Sequence, residues 1–110
     1  MKLYEILNEN VEDEQSAAMF DFAVALEVAK RTNTLSDAEI TNQEKQFEKL
    51  LDSFSKGYES DNDNLMYGSL DDMQDMTNQI AKKVGEEKFE KIKWEIRDDD
   101  DLVDSLMDKF

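Results

Sequence analysis

The sequence predicts an all-α fold, a small bundle of four to five helices around one alanine-rich helix, and three observations carry that prediction. Proline is absent and glycine occurs only at Gly57, Gly68 and Gly85, so little breaks a helix and few positions favour the tight turns of a sheet-rich fold. Apolar residues recur three and four positions apart through most of the chain. Residues 17–29, Ala-Ala-Met-Phe-Asp-Phe-Ala-Val-Ala-Leu-Glu-Val-Ala, are interrupted only by Asp21 and Glu27. Apolar positions cover most of the circumference of such a helix, so neighbours must pack on several of its sides.

A chain of 110 residues has room for a single domain, residues 1–110. Leu, Ile, Val and Phe together make up about a quarter of the chain, above the roughly 20% below which high net charge means disorder. The chain therefore folds, around a lean core.

In chain order, residues 1–9 place Leu3, Ile6 and Leu7 on one face and predict a short amphipathic helix. Residues 8–14 read as a polar, acidic connection, with Asn10 or a following acid capping the central helix over residues 15–32. Lys30 and Arg31 close that helix at its negative end. The clearest boundary is Ser36-Asp37-Ala38-Glu39, which has the form of a capping box, with Leu35 and Ile40 placed as a hydrophobic staple. It opens a helix over 36–57 whose apolar face is Ile40, Phe47, Leu50, Leu51, Phe54 and Tyr58, fading at Gly57.

Residues 59–64 read as an exposed loop anchored by Leu65, Met66 and Tyr67. Ser69 is then the expected N-cap of a helix over 69–84, with Leu70, Met73, Ile80 and Val84 inward and Gly85 just past its end. Residues 86–97 carry two periods. Phe89, Ile92 and Ile96 share a helical face, whereas Ile92, Trp94 and Ile96 alternate with charges as an edge strand would. A lone strand would need a partner, which favours helix. Residues 98–110 form a terminal acidic amphipathic helix, with Asp101 as N-cap, Asp104 in the third position and Leu102, Val103, Leu106, Met107 and Phe110 apolar. Methionines such as Met73 and Met76 are expected to fill the core, with Met19, Met66 and Met107 open to the same reading. Trp94 is expected in the core as well, its alternative being a contact residue exposed between Lys93 and Arg97.

The charge balance bounds function. The chain holds 28 acidic and 13 basic residues and no histidine, a formal net charge of −15. That disfavours direct binding to nucleic-acid phosphates or an anionic membrane surface. Without cysteine or histidine there is no thiolate nucleophile, and a zinc site is not expected. No apolar run approaches the ~20 residues of a spanning helix, and the N-terminus lacks the apolar centre of a secretory signal, so a soluble intracellular protein is expected. Asp61 and Asp63 begin like a calcium loop, but Leu65 stands at its fifth position, Met66 at its sixth and Asp72 at its twelfth, which leaves it without an oxygen donor, the turn glycine and the closing Glu. Asp98, Asp99, Asp100 and Asp101 are explained as cap and dipole partners rather than cation ligands. No nucleophile, phosphate-cradling loop or metal-ligand spacing is present, and neither enzymatic activity nor a cofactor is expected.

Six of the thirteen basic residues fall within residues 82–97, which concentrates negative charge in 5–21, 52–75 and 98–108. Carboxylates at i, i+4 on a helix lie roughly 5–6 Å apart, comparable with phosphates along a nucleic-acid strand. Such a surface can stand in for DNA before a basic cleft, although acidic surfaces also serve solubility alone. The expected contact band is Asp52, Glu59, Asp61, Asp63, Asp71, Asp72 and Asp75, with Asp98 to Asp101 as a second one. The expected partner is a basic protein surface, such as that of a host nucleic-acid-binding protein.

Met1-Lys2-Leu3-Tyr4-Glu5-Ile6-Leu7-Asn8-Glu9 resembles the capsid-targeting leader of internal head proteins of T4-like phages, in which Met-Lys and an aromatic precede a Leu/Ile-x-Glu cleavage tripeptide. The resemblance makes Leu7, Asn8 and Glu9 the cleavage site and implies a phage-encoded protein, found in the host cytoplasm or in the virion. Members of that group are often basic; this chain instead resembles acidic scaffold components and phage inhibitors that imitate DNA. The tail from Asp104 to Phe110 also looks like the C-terminal peptides by which phage replication proteins grip a sliding clamp, which makes Phe110 a candidate contact. Two expectations follow: an acidic DNA-mimic inhibitor of a host DNA-acting or defence protein, or an internal head or scaffold protein acting in capsid assembly.

Overall fold

Five helices joined by short turns account for almost all of the described residues: α1 (Leu3–Arg31), α2 (Asp37–Glu59), α3 (Asp63–Val84), α4 (Glu86–Arg97) and α5 (Asp100–Met107). The structure, a computed structural model, describes the backbone of residues 3–109 and the side chains of residues 13–109. Among the described residues there is no strand, and the bundle measures 44 × 27 × 23 Å.

The alanine-rich stretch is the centre of the bundle. Phe22, Ala23, Val24, Ala25, Leu26, Val28 and Ala29 are all buried, and α1 is the one helix that packs against each of the other four. The separate short helix and the connection expected over residues 8–14 are absent: α1 is continuous from Leu3. The acids there do not break a helix, because neither Gly nor Pro interrupts the run.

The capping box forms as the sequence predicts. Ser36 Oγ accepts from the Glu39 amide at 3.2 Å and the Glu39 carboxylate accepts from the Ser36 amide at 3.1 Å. Leu35 is buried, and Ile40 packs against the same core. The donating Ser36 amide is the chief cause that holds the Glu39 carboxyl below its ordinary value of 4.5, with smaller contributions from the Ser36 hydroxyl and from Lys83. Between α1 and α2 the chain turns through Asn33 in the left-handed region (φ 55°), a conformation that Asn tolerates better than most residues.

Gly57 does not end α2, which continues to Glu59. It is buried where α3 crosses: a Cβ there would lie 2.8 Å from the Met66 backbone nitrogen. The expected loop over 59–64 shrinks to residues 60–62, turning through Asp61 at φ 54°. Asn62 rather than Ser69 caps α3, its side chain accepting from the Leu65 amide at 3.1 Å. Ser69 is buried mid-helix and donates to the Leu65 carbonyl at 2.7 Å, the local bond that lets a hydroxyl sit inside a helix. α2 and α3 thus form a helical hairpin. The hairpin meets α1 partly through the Phe22 and Phe47 rings, stacked at 4.1 Å and 5°.

Gly85 ends α3 and precedes α4 at φ 101°. Residues 86–97 are helical, with Phe89 and Ile96 buried and Ile92 partly so. Trp94 departs from the expected core position and is 54% exposed, because a face centred on Phe89, Ile92 and Ile96 leaves it on the opposite side. Asp99, not Asp101, caps α5 by accepting from the Leu102 amide at 3.2 Å. The methionines divide: Met66 and Met73 are buried, Met19 and Met76 half-buried against the core, and Met107 exposed.

Candidate carboxylate interface

The α2–α3 hairpin carries the whole first band of predicted contact acids, and every one is exposed. Asp52 and Glu59 lie on α2, Asp61 in the turn, and Asp63, Asp71, Asp72 and Asp75 on α3. The inward residues Met66, Leu70, Met73 and Ile80 fix the rotation of α3. Counting 100° per residue from them puts Asp71 and Asp75 on the far side, one turn apart. Asp72 is turned toward α2, where it, Asp75 and Lys49 rim a shallow groove floored by Leu50 and Met76. Glu59, Asp61 and Asp63 crowd the hairpin tip.

Pairing with basic residues separates the band into parts. Asp52 holds Lys56 at 3.2 Å, one turn along α2. Among the described residues no lysine or arginine comes within 4.0 Å of Glu59, Asp63, Asp71, Asp72 or Asp75. The outer face of α3, with Glu59 and Asp63 near the tip, therefore presents uncompensated charge to solvent, softened on one edge by Lys49.

Asp98, Asp99, Asp100 and Asp101 form a separate group. They lie at the α4–α5 junction, and α5 packs on α1 and α4 rather than on α3. The Asp99 side chain is committed to its cap; Asp98, Asp100 and Asp101 are exposed. Among the described residues no group of three acidic side chains is placed to hold a metal ion, and no helix is long and apolar enough to cross a membrane. Leu7, Asn8 and Glu9 fall within α1, but their side chains, like Phe110, lie outside the described residues.

No family model, curated protein or solved structure matches this chain.

One feature is poorly anticipated by the sequence. Arg97 lies between two aromatic rings, its guanidinium carbon 5.4 Å from the centroids of both Trp94 and Phe20, and it bonds Asp21 on α1 at 3.0 Å. Its Nε is buried with no hydrogen-bond partner. Lys93 Nζ also lies over the Trp94 ring, 5.4 Å from its centroid. Most of the chain's surface charge is negative, yet here an exposed indole is flanked by two cations. The signal is present in the sequence as the angular position of Trp94 relative to Phe89, Ile92 and Ile96.

Proposed function

We propose that this chain is a non-enzymatic acidic binding protein that engages the basic surface of a nucleic-acid-binding partner, with the α2–α3 hairpin standing in for DNA. The supporting observation is the run of exposed carboxylates Glu59, Asp63, Asp71, Asp72 and Asp75, which no basic side chain among the described residues neutralises. Asp71 and Asp75 are spaced one helical turn apart, close to the interval at which a basic groove meets phosphates. A net charge of −15 adds long-range steering toward a cationic cleft. The leader-like residues 1–9 support a phage origin and a host protein as target.

The test is affinity capture from a bacterial lysate in low salt, followed by release with duplex DNA. The expected result is that DNA-binding proteins are retained, that duplex DNA displaces them, and that raising salt releases them steeply. The triple substitution Asp71→Asn, Asp72→Asn and Asp75→Asn should abolish retention while leaving helicity unchanged. Retention that DNA does not displace, or that survives the triple substitution, would remove the basis for mimicry.

A further inference from the structure

We propose that Tyr67 makes the outer face of α3 select arginine over lysine: an arginine of the partner stacks on the Tyr67 ring while its guanidinium bonds Asp63 or Asp71. The contact rests on the carboxylate interface proposed above and adds to it the side chain that is gripped and the residue that chooses it.

Tyr67 is 40% exposed, although Met66, Ser69 and Leu70 around it are all buried. Asp63 and Asp71 each lie four residues away, so the three side chains share a stripe, with about 6 Å of axial rise from one to the next. Asp75 continues that stripe, and all three acids are exposed. Gly68, the next residue along, has nothing within 4 Å of where a Cβ would stand, which leaves room for a side chain to approach from that flank. The local charge has one sign. Residues 57–81 contain six acids and no lysine or arginine, and Lys56, the base that precedes them, holds Asp52 at 3.2 Å. Among the described residues no basic side chain comes within 4.0 Å of Asp63 or Asp71. An open ring with a carboxylate one turn to either side therefore calls for a cation.

The ring decides which cation. A guanidinium is flat and weakly hydrated, so it can lie against an aromatic face while its edge N–H groups bond a carboxylate. An ammonium is a compact, strongly hydrated charge and gains less from the ring. The chain holds one arrangement of this kind with its arginine in place. The Arg97 guanidinium carbon lies 5.4 Å from the centroids of Phe20 and Trp94, and the group bonds Asp21 at 3.0 Å. There α1 supplies a ring and a carboxylate and another helix supplies the arginine. Tyr67 with Asp63 and Asp71 offers the same groups to solvent. Nucleic-acid-binding surfaces use arginine both to bond phosphates and to stack on bases, so the tyrosine takes the part of a base in a stripe whose carboxylates take the part of phosphates.

Oligoarginine and oligolysine peptides of equal length, titrated calorimetrically into the full chain at low salt, test this. The parent should bind oligoarginine more tightly. Tyr67→Leu should weaken oligoarginine about fivefold, the upper end for an exposed cation–π contact, and leave oligolysine unchanged. Tyr67→Phe should keep the preference, and both variants should keep the parent's helicity because the side chain is exposed. In NMR spectra of the parent the arginine δ-methylene protons should move upfield over the ring, a shift absent with Tyr67→Leu. Oligoarginine binding that ignores Tyr67→Leu, or a loss shared equally by oligolysine, would overturn the arginine contact while leaving the carboxylate interface standing. If neither peptide binds the parent, the interface itself fails and the contact falls with it.

Discussion

Alanine placed at Gly57 and at Gly68 should move stability in opposite directions, although both glycines sit inside helices. At an unobstructed helical position, replacing Gly by Ala stabilises by about 1 kcal/mol, because Ala loses less backbone entropy on folding. Gly68 meets that condition, with nothing within 4 Å of an added Cβ. At Gly57 the new Cβ would lie 2.8 Å from the Met66 nitrogen, 3.0 Å from its Cγ and 3.1 Å from the Asn62 carbonyl oxygen. A thioether can rotate away, but a backbone amide cannot, so the first turn of α3 has to shift. That turn is also tied to α2 by the Asn62 amide donating to the Gly57 carbonyl at 2.8 Å. Overpacking of this kind costs about 1–3 kcal/mol, which outweighs the propensity gain and leaves Gly57→Ala about 1 kcal/mol less stable than the parent. For a domain of this size, about 1 kcal/mol corresponds to about 4 °C in Tm, so the two variants should melt about 8 °C apart. Urea denaturation followed by circular dichroism gives the free energies directly, provided the m-value is unchanged. If Gly57→Ala raises Tm as Gly68→Ala does, the close approach of α2 and α3 at Met66 is wrong.

Four further outcomes follow from the same packing. Phe47→Ala removes a fully buried ring stacked on Phe22 and should cost about 3–5 kcal/mol, visible as loss of cooperative melting or a large fall in the urea midpoint. Ser36→Ala should cost about 1 kcal/mol by removing the cap of α2, and an NMR titration should show the Glu39 carboxyl rising only part of the way toward its ordinary value, because the backbone amide of residue 36 still donates to it. In the parent chain that carboxyl is lowered on folding, so its contribution is complete above its unfolded value and is lost as pH falls through the lowered one. Gly85→Ala introduces a side chain at φ 101° and should destabilise by about 1–2 kcal/mol in the same urea assay. Arg97→Met should stay within about 1 kcal/mol of the parent by thermal melting, since it removes an unpartnered buried Nε while Asp21 is 49% exposed and can rehydrate; a loss well beyond that would mean the Asp21 pair matters more than its exposure suggests.

How much of this is legible in the sequence depends on whether a local rule has one solution. Ser36 and Glu39 stand at capping-box spacing and Leu35 and Ile40 flank them as a staple, which the same spacing at Thr41 and Glu44 lacks, so that boundary can be read to the residue. Gly85 is equally clear, lying between two helical patterns with no competing breaker. The start of α3 is not, because Asp61, Asn62, Asp63 and Asn64 are all good caps and a cap at Ser69 looks just as reasonable. Only the tertiary contact of Gly57 with Met66, which requires helix on both sides of the turn, decides for Asn62. Gly57 misleads for the same reason: a glycine that admits a crossing helix looks, in sequence, like one that ends its own. The acids over 8–14 suggest a linker by composition, yet composition alone does not unwind a helix that lacks Gly and Pro. For the candidate site, exposure of the acidic band is readable from its polarity. Its division into two bands is readable from their places in the chain, whereas the packing of α5 on α1 and α4 rather than on α3, which keeps the bands apart, is not. Residue type points Trp94 to the core, whereas its angular position on α4 argues otherwise.

The position of α1 has a consequence for biosynthesis. The helix that every other element covers is the first of the five to leave the ribosome, while α3 begins to emerge only some thirty residues after α1 ends. Until then only α2, through Phe47 on Phe22, can cover its alanine and phenylalanine flanks, and the side that α3 takes stays open, a sticky surface awaiting its cover. A nascent chain of this design should be most open to chaperones and proteases during that interval, and synonymous changes that slow translation across α2 should lower the yield of folded protein without altering its final stability.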